Sequence, residues 1–229
     1  MNYNSAVTKE INQFAPNEII VARKLYQEKL AFVPEATYFK VLGRIMKEHK
    51  LARISKGVYC RPKATRFGIV AGNENETIRH YTGEGNEFGV VVGYKLYNKY
   101  GLTTQISRTT EIYSSLISEK KKVIENILIR QISLPLNQSK VAVIEALEIM
   151  QNYKKLEDIS AAGFKAYLTM FASRYDNMAA LEVLSRMNYQ KRTIAFMRMV
   201  LEYFNVKNTL SIYLAATSNY KTPKMDEIL

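Results

Sequence analysis

The chain has 229 residues, one cysteine and a formal net charge of +12, a length that suits one large or two modest domains. The single Cys60 excludes an intrachain disulfide and a cysteine-rich zinc site and fits a reducing, cytoplasmic location. No run approaches the roughly 20 apolar residues of a membrane span, and the polar first ten residues lack the apolar core of a signal peptide.

The charge is uneven. Residues 1–65 hold twelve Lys or Arg against five acids, and residues 66–229 hold twenty-one against sixteen, so the shorter segment carries +7 and the longer one +5. A polyanion partner is therefore expected at the N-terminal end. A first helix is predicted over 4–14, with Ser5 as cap and Val7, Ile11 and Phe14 along one face. Ala15-Pro16-Asn17 breaks it, and 18–20 reads as a short strand. A second helix over 21–30 turns Val21, Leu25 and Tyr26 inward.

The main helix opens at Pro34, whose missing N–H costs nothing in a first turn. At about 100° per residue, Tyr38, Phe39, Leu42, Ile45 and Met46 form one broad apolar face. Thr37, Lys40, Arg44 and Lys47 fall on the other side, and Lys50 closes the helix. Residues 51–54 and 58–61 read as two strands joined through Lys56-Gly57, where glycine supplies a positive φ. Arg53, Lys56, Arg61 and Lys63 then line a basic hairpin. From residue 40 to 63 there are eight Lys or Arg and one acid, Glu48. A helix with a cationic face followed by a basic hairpin is the layout of a winged helix-turn-helix that docks on double-stranded DNA.

Residues 71–87, rich in Gly, Asn and Glu, read as a loop with one helical turn at 78–81. Gly83, Gly85 and Gly89 have GxGxxxG spacing, which lacks the preceding strand of a nucleotide loop, and Glu84 and Glu87 would repel phosphate. A helix is predicted over 90–100 with Gly101 as its stop, then strands over 102–108 and 111–115. Lys120-Lys121-Lys122 leads into a hairpin that turns at Glu125-Asn126 and returns through 127–132. Five helices are expected at 139–153, 160–175, 178–187, 189–204 and 209–216, with a loose tail at 219–229. Their scattered methionines, such as Met170 and Met197, read as core filling. The fold class is thus α+β: a winged helix-turn-helix over 1–65, then a small mixed β region and a helix-rich C-terminal part over 66–229.

Catalytic chemistry is sparse. His49 and His80 are the only histidines, and neither has a partner at metal-ligand spacing. Asp158, Asp176 and Asp226 form no D-x-D pair, Glu157-Asp158 reads as a helix start, and no serine sits in a G-x-S-x-G elbow. No enzyme activity, metal or cofactor is expected.

The segment Leu51-Ala52-Arg53-Ile54-Ser55-Lys56-Gly57-Val58-Tyr59-Cys60-Arg61-Pro62 and the later Gly93-Tyr94-Lys95-Leu96-Tyr97-Asn98-Lys99-Tyr100-Gly101-Leu102-Thr103-Thr104-Gln105-Ile106 together resemble the AbiEi-like antitoxin family of type IV toxin–antitoxin systems, first named for abortive phage infection. The resemblance covers residues 18–115 most strongly. It implies an N-terminal winged helix that binds inverted repeats in its own promoter as a repressor. It also implies a C-terminal domain that counteracts a nucleotidyltransferase-like toxin encoded alongside. The G-S…D-x-D signature of such a toxin is absent here, so the chain would be the antitoxin, a monomer or dimer on DNA. The alternative reading is a winged-helix protein-interaction or regulatory module without a toxin partner.

Overall fold

In the computed structural model, which describes residues 2–66, 68–70, 72–215, 218–223 and 225, α1 (Tyr3–Asn12) starts where the Asn2 side chain accepts the Ser5 N–H at 3.3 Å. The cap is thus Asn2, and Ser5 already lies in the first turn. Val7 and Ile11, one turn apart, bury the same face. Beyond β1 (Ile19–Val21), the short α2 (Ala22–Leu25) runs on as a π-helical turn, Tyr26–Leu30. Pro34 holds the N-cap position of α3 (Glu35–Lys47), one residue before the helix proper, and its carbonyl accepts the Tyr38 N–H at 3.0 Å.

The core face of α3 is Tyr38, Val41, Leu42 and Ile45, whereas Phe39 is 42% exposed. Val41 lies about 60° from Tyr38 around the helix and Phe39 about 100° from it, so Val41 takes the place expected for Phe39. The helix ends before Lys50. His49 adopts φ 55°, its N–H donates to Met46 O at 2.9 Å and the Lys50 N–H donates to Ile45 O at 3.1 Å. These paired bonds satisfy carbonyls that the last turn leaves open.

β2 (Ala52–Ser55) and β3 (Val58–Cys60) form the expected hairpin, in a three-stranded antiparallel sheet of order β1-β3-β2. Gly57 turns the chain with φ 76°, and its carbonyl accepts the Ala22 N–H at 2.9 Å, fastening the turn to the start of α2. The buried Tyr38 hydroxyl donates to Ala22 O at 2.9 Å, which fastens α3 to the same point. A second antiparallel hairpin follows, β4 (Lys63–Thr65) with β5 (Gly68–Val70). The loop expected next contains α4 (Glu74–Thr82), a full helix and not a single turn. The chain divides into two compact units, Met1–His80 and Tyr81–Leu229. The expected boundary at residue 65 falls inside the first.

In the second unit, the three consecutive valines after Gly89 form a strand, β6 (Gly89–Val92), where a helix was expected. β-Branched side chains lose freedom in a helix and suit a pleated surface. Gly93, with φ 66° and ψ −150°, makes the switch into α5 (Tyr94–Lys99). This backbone region is open essentially to glycine alone. Gly101 stops α5 as expected, its N–H donating to Asn98 O at 3.0 Å while Leu102 N–H donates to Tyr97 O at 2.9 Å. The strand predicted at 102–108 is irregular chain, held by the Asn98 side-chain amide on Thr103 O at 2.9 Å. β7 (Thr110–Ser114), β8 (Lys121–Ile124) and β9 (Ile127–Gln131) complete a four-stranded sheet of order β6-β7-β9-β8. β7 and β9 are parallel, and β8–β9 is the predicted hairpin. The lysines of β8 lie on a sheet edge, where charge discourages strand addition.

Helices α6 (Gln138–Asn152), α7 (Ala161–Ser173), α8 (Asn177–Arg186) and α9 (Lys191–Tyr203) lie close to their predicted spans. Side chains of Asn137, Ser160 and Asp176 cap the first three. Asp158 has φ 51°, so Glu157-Asp158 is a turn and not a helix start. The predicted fifth helix is a short 3-10 turn, Leu210–Tyr213; its expected end at Ala216 and the tail at 226–229 lie outside the described residues. α6 is buried on nearly every side and packs against α8, α9 and β6.

Candidate nucleic-acid interface

The side of α3 away from its core face presents Lys40, Arg44 and Lys47, all exposed, with Thr37 half-buried in the first turn. Positions 37, 40, 44 and 47 are spaced by three or four, so they follow one another along the helix. Among the described residues, none of these three cations is held in an ion pair. Lys24, Lys29 and Lys50, by contrast, each reach a carboxylate within 4 Å. The one acid of the stretch, Glu48, takes the Lys50 ammonium at 2.8 Å, which holds its carboxyl below the usual value. Glu48 also acts on Arg44 through space, without an ion pair between them.

The four cations expected on one hairpin separate into three settings. Arg53 on β2 is exposed, its Nε 3.3 Å from Ser55 O, and Lys56 is exposed in the turn. Arg61 is half-buried and tied to the fold: its guanidinium donates to Asn12 O at 3.1 Å and Phe14 O at 2.6 Å, closing the C-terminal end of α1. A cation suits that end of a helix dipole. Lys63 starts β4 and belongs to the second hairpin, where it is exposed. The structure thus groups Thr37, Lys40, Arg44 and Lys47 on α3, places Arg53 and Lys56 on the next hairpin, and removes Arg61 from the surface set.

His49 is exposed beyond the end of α3, and His80 lies in the last turn of α4. Among the described residues no group of three or more His, Cys, Asp or Glu is placed to hold a metal ion, and no helix is long and apolar enough to cross a membrane. The glycines at 83 and 85 belong to a turn in which both Glu87 carboxylate oxygens accept the Gly85 N–H at 3.1 Å.

Sequence reasoning passed over two buried carboxylates of α6, Glu145 and Glu148, 4% and 6% exposed. Glu145 Oε1 takes the Lys99 ammonium at 2.7 Å and its Oε2 takes the Tyr100 hydroxyl at 2.6 Å. Glu148 Oε1 takes the hydroxyls of Tyr113 at 3.0 Å and Tyr189 at 3.1 Å. Burial pushes the Glu148 carboxyl above its usual value, against these two hydrogen bonds. The available signal was two acids inside the run Val141-Ala142-Val143-Ile144-Glu145-Ala146-Leu147-Glu148-Ile149-Met150, where an amphipathic helix would keep them in water.

No protein-family model matches the chain, and no curated protein matches it. Among solved structures it is similar to the crystal structure of the RV2827C protein from Mycobacterium tuberculosis, with a TM-score of 0.45 and 9% sequence identity over 90% of this chain and 78% of that one.

Proposed function

We propose that the chain is a DNA-binding transcriptional repressor and antitoxin. Residues 1–65 act as a winged helix-turn-helix, with α2 and α3 as the paired helices and β2–β3 as the wing. α3 enters the major groove, where Thr37, Lys40 and Arg44 reach base edges, and Lys56 rests on phosphate. The observation that carries this reading is the row Lys40, Arg44 and Lys47, exposed and outside any ion pair among the described residues, opposite a buried apolar face. Lys47, Arg53 and Lys63 add positive charge along the backbone. Inverted repeats in the protein's own promoter are the proposed operator, and Tyr81–Leu229 the part that counteracts a nucleotidyltransferase-like toxin. The resemblance of residues 18–115 to AbiEi-like antitoxins supports both assignments.

Footprinting on the upstream DNA, together with coexpression beside the neighbouring gene, tests the two halves separately. A protected inverted repeat and rescue from growth arrest support the reading; random protection or no rescue contradicts the corresponding half. A second reading, a protein-interaction module, is favoured by Phe32 and Phe39, which are 51% and 42% exposed on either side of Pro34. Substituting both by Ser separates the two: on this second reading it abolishes partner capture and leaves DNA affinity intact.

A further inference from the structure

A cavity of about 350 Å³ in the second unit is lined by Tyr94 and Tyr97 of α5, Glu111 and Tyr113 of β7, Arg130 of β9, and Glu148 of α6. Its volume lies at the lower end of the range for small-molecule pockets, about 300–1,000 Å³. Glu148 is 94% buried by the complement of its 6% exposure, yet only its Oε1 is used, by Tyr113 and Tyr189. The hydrogen bonds of the described residues reach Oε1 alone, and Oε2 is not shut off from solvent on the cavity side. Glu145, one turn earlier, forms the contrast: both of its oxygens are taken, one by a cation.

Neither cation of the cavity wall is hydrogen-bonded to Glu148: Arg130 is paired with Glu111 and acts on Glu148 only through space, and Lys155 donates to the neutral Asn152 Oδ1 at 3.1 Å. A buried carboxylate that no cation hydrogen-bonds is costly to ionise. The cavity therefore offers, at Glu148, one acceptor oxygen that a positively charged donor would satisfy. Tyr94 and Tyr97 stand edge to face with ring centroids 5.6 Å apart. Phenol faces attract cations and shelter the methylenes beside them.

We propose that this cavity binds a small organic cation, an amine or guanidinium whose N–H groups reach Glu148 while its carbon chain lies against Tyr94 and Tyr97. An anion is disfavoured by the same carboxylate. Glu148 faces Tyr113 and Glu111 of β7, Arg130 of β9, Tyr97 of α5 and Tyr189 before α9. Of these, Arg130 alone carries positive charge; it is hydrogen-bonded to Glu111 and acts on Glu148 through space, and Lys155 also lines the cavity. The ligand stabilises the ionised carboxylate, so binding releases protons and tightens as pH rises through the Glu148 titration.

The test is calorimetric titration of the full chain with agmatine, with putrescine, with the neutral diol of putrescine's chain length, and with a short blocked peptide containing one arginine. One-site binding of at least one cation and none of the diol is expected. Agmatine or putrescine binding identifies a free amine as the source, and binding of the peptide alone identifies a polypeptide side chain. Glu148→Gln is expected to weaken that binding about tenfold or more while the variant keeps a single cooperative unfolding transition. Tyr94→Ala, at a partly exposed wall position, is expected to weaken it too and serves if Glu148→Gln does not fold. No heat with any cation, equal binding of the diol, or undiminished affinity in the folded variants overturns the proposal.

Discussion

Arg61 and Arg44 are both arginines of a basic segment, but their surroundings give them different work. Arg61 donates to two main-chain carbonyls at the end of α1. Arg61→Ala leaves them without that donor and is expected to lower stability by about 1–3 kcal/mol, read by urea unfolding, with little direct effect on DNA contact. Arg44 is exposed on α3 with no ion-pair partner among the described residues. Arg44→Ala is expected to weaken operator binding by about 1–3 kcal/mol and to relax base preference at one position. Lys56→Ala is expected instead to weaken operator and random DNA alike, because a turn lysine meets phosphate. Anisotropy with both DNAs distinguishes the two effects; operator affinity unchanged in both variants places the docking face elsewhere. The exposed members of the basic set were legible because cations spaced by three or four on an amphipathic helix face water. Arg61 was misread because the carbonyls it meets come from a helix nearly fifty residues earlier, which strand alternation does not reveal.

At the scale of elements, α6 is the member around which the second unit packs. Ile144 is fully buried in its middle, and Ile144→Ala is expected to cost about 2–5 kcal/mol in urea unfolding. Beside it, Glu148 gives the unit a pH dependence. Burial holds its folded carboxyl above the ordinary carboxylate value, so the folded state holds the proton more tightly than the unfolded chain. The stability from this group is present below that ordinary value and is lost as pH rises toward the raised one. Glu148→Gln is expected to flatten that decline in a series of urea titrations; an unchanged slope contradicts the assignment. The helices at 138–203 were readable because their periodicity runs through several turns and their caps are Asn, Ser and Asp. β6 was not, because Val90 to Val92 run without a polar break into the helix after Gly93, and only the backbone of Gly93 separates them. α4 carried an overlooked start signal, Asn73 followed by Glu76: the Asn73 side chain accepts the Asn75 N–H at 2.9 Å.

For the whole molecule, the +12 charge makes attraction to any polyanion expected, so affinity alone says little. What separates a reader of sequence from a basic surface is selectivity that persists when salt is raised. Each neutralised phosphate contributes about −0.9 to the slope of log K against log salt, and about four to six contacts per protomer make binding collapse between low and moderate salt. The most direct measurement is an anisotropy titration of the full chain on its own upstream DNA and on scrambled DNA of equal length, at two salt concentrations. The account predicts tight, salt-sensitive binding to the upstream DNA and a preference over scrambled DNA at both salts. Equal weak binding to both DNAs would contradict it and reduce the basic face of α3 to a solvated surface.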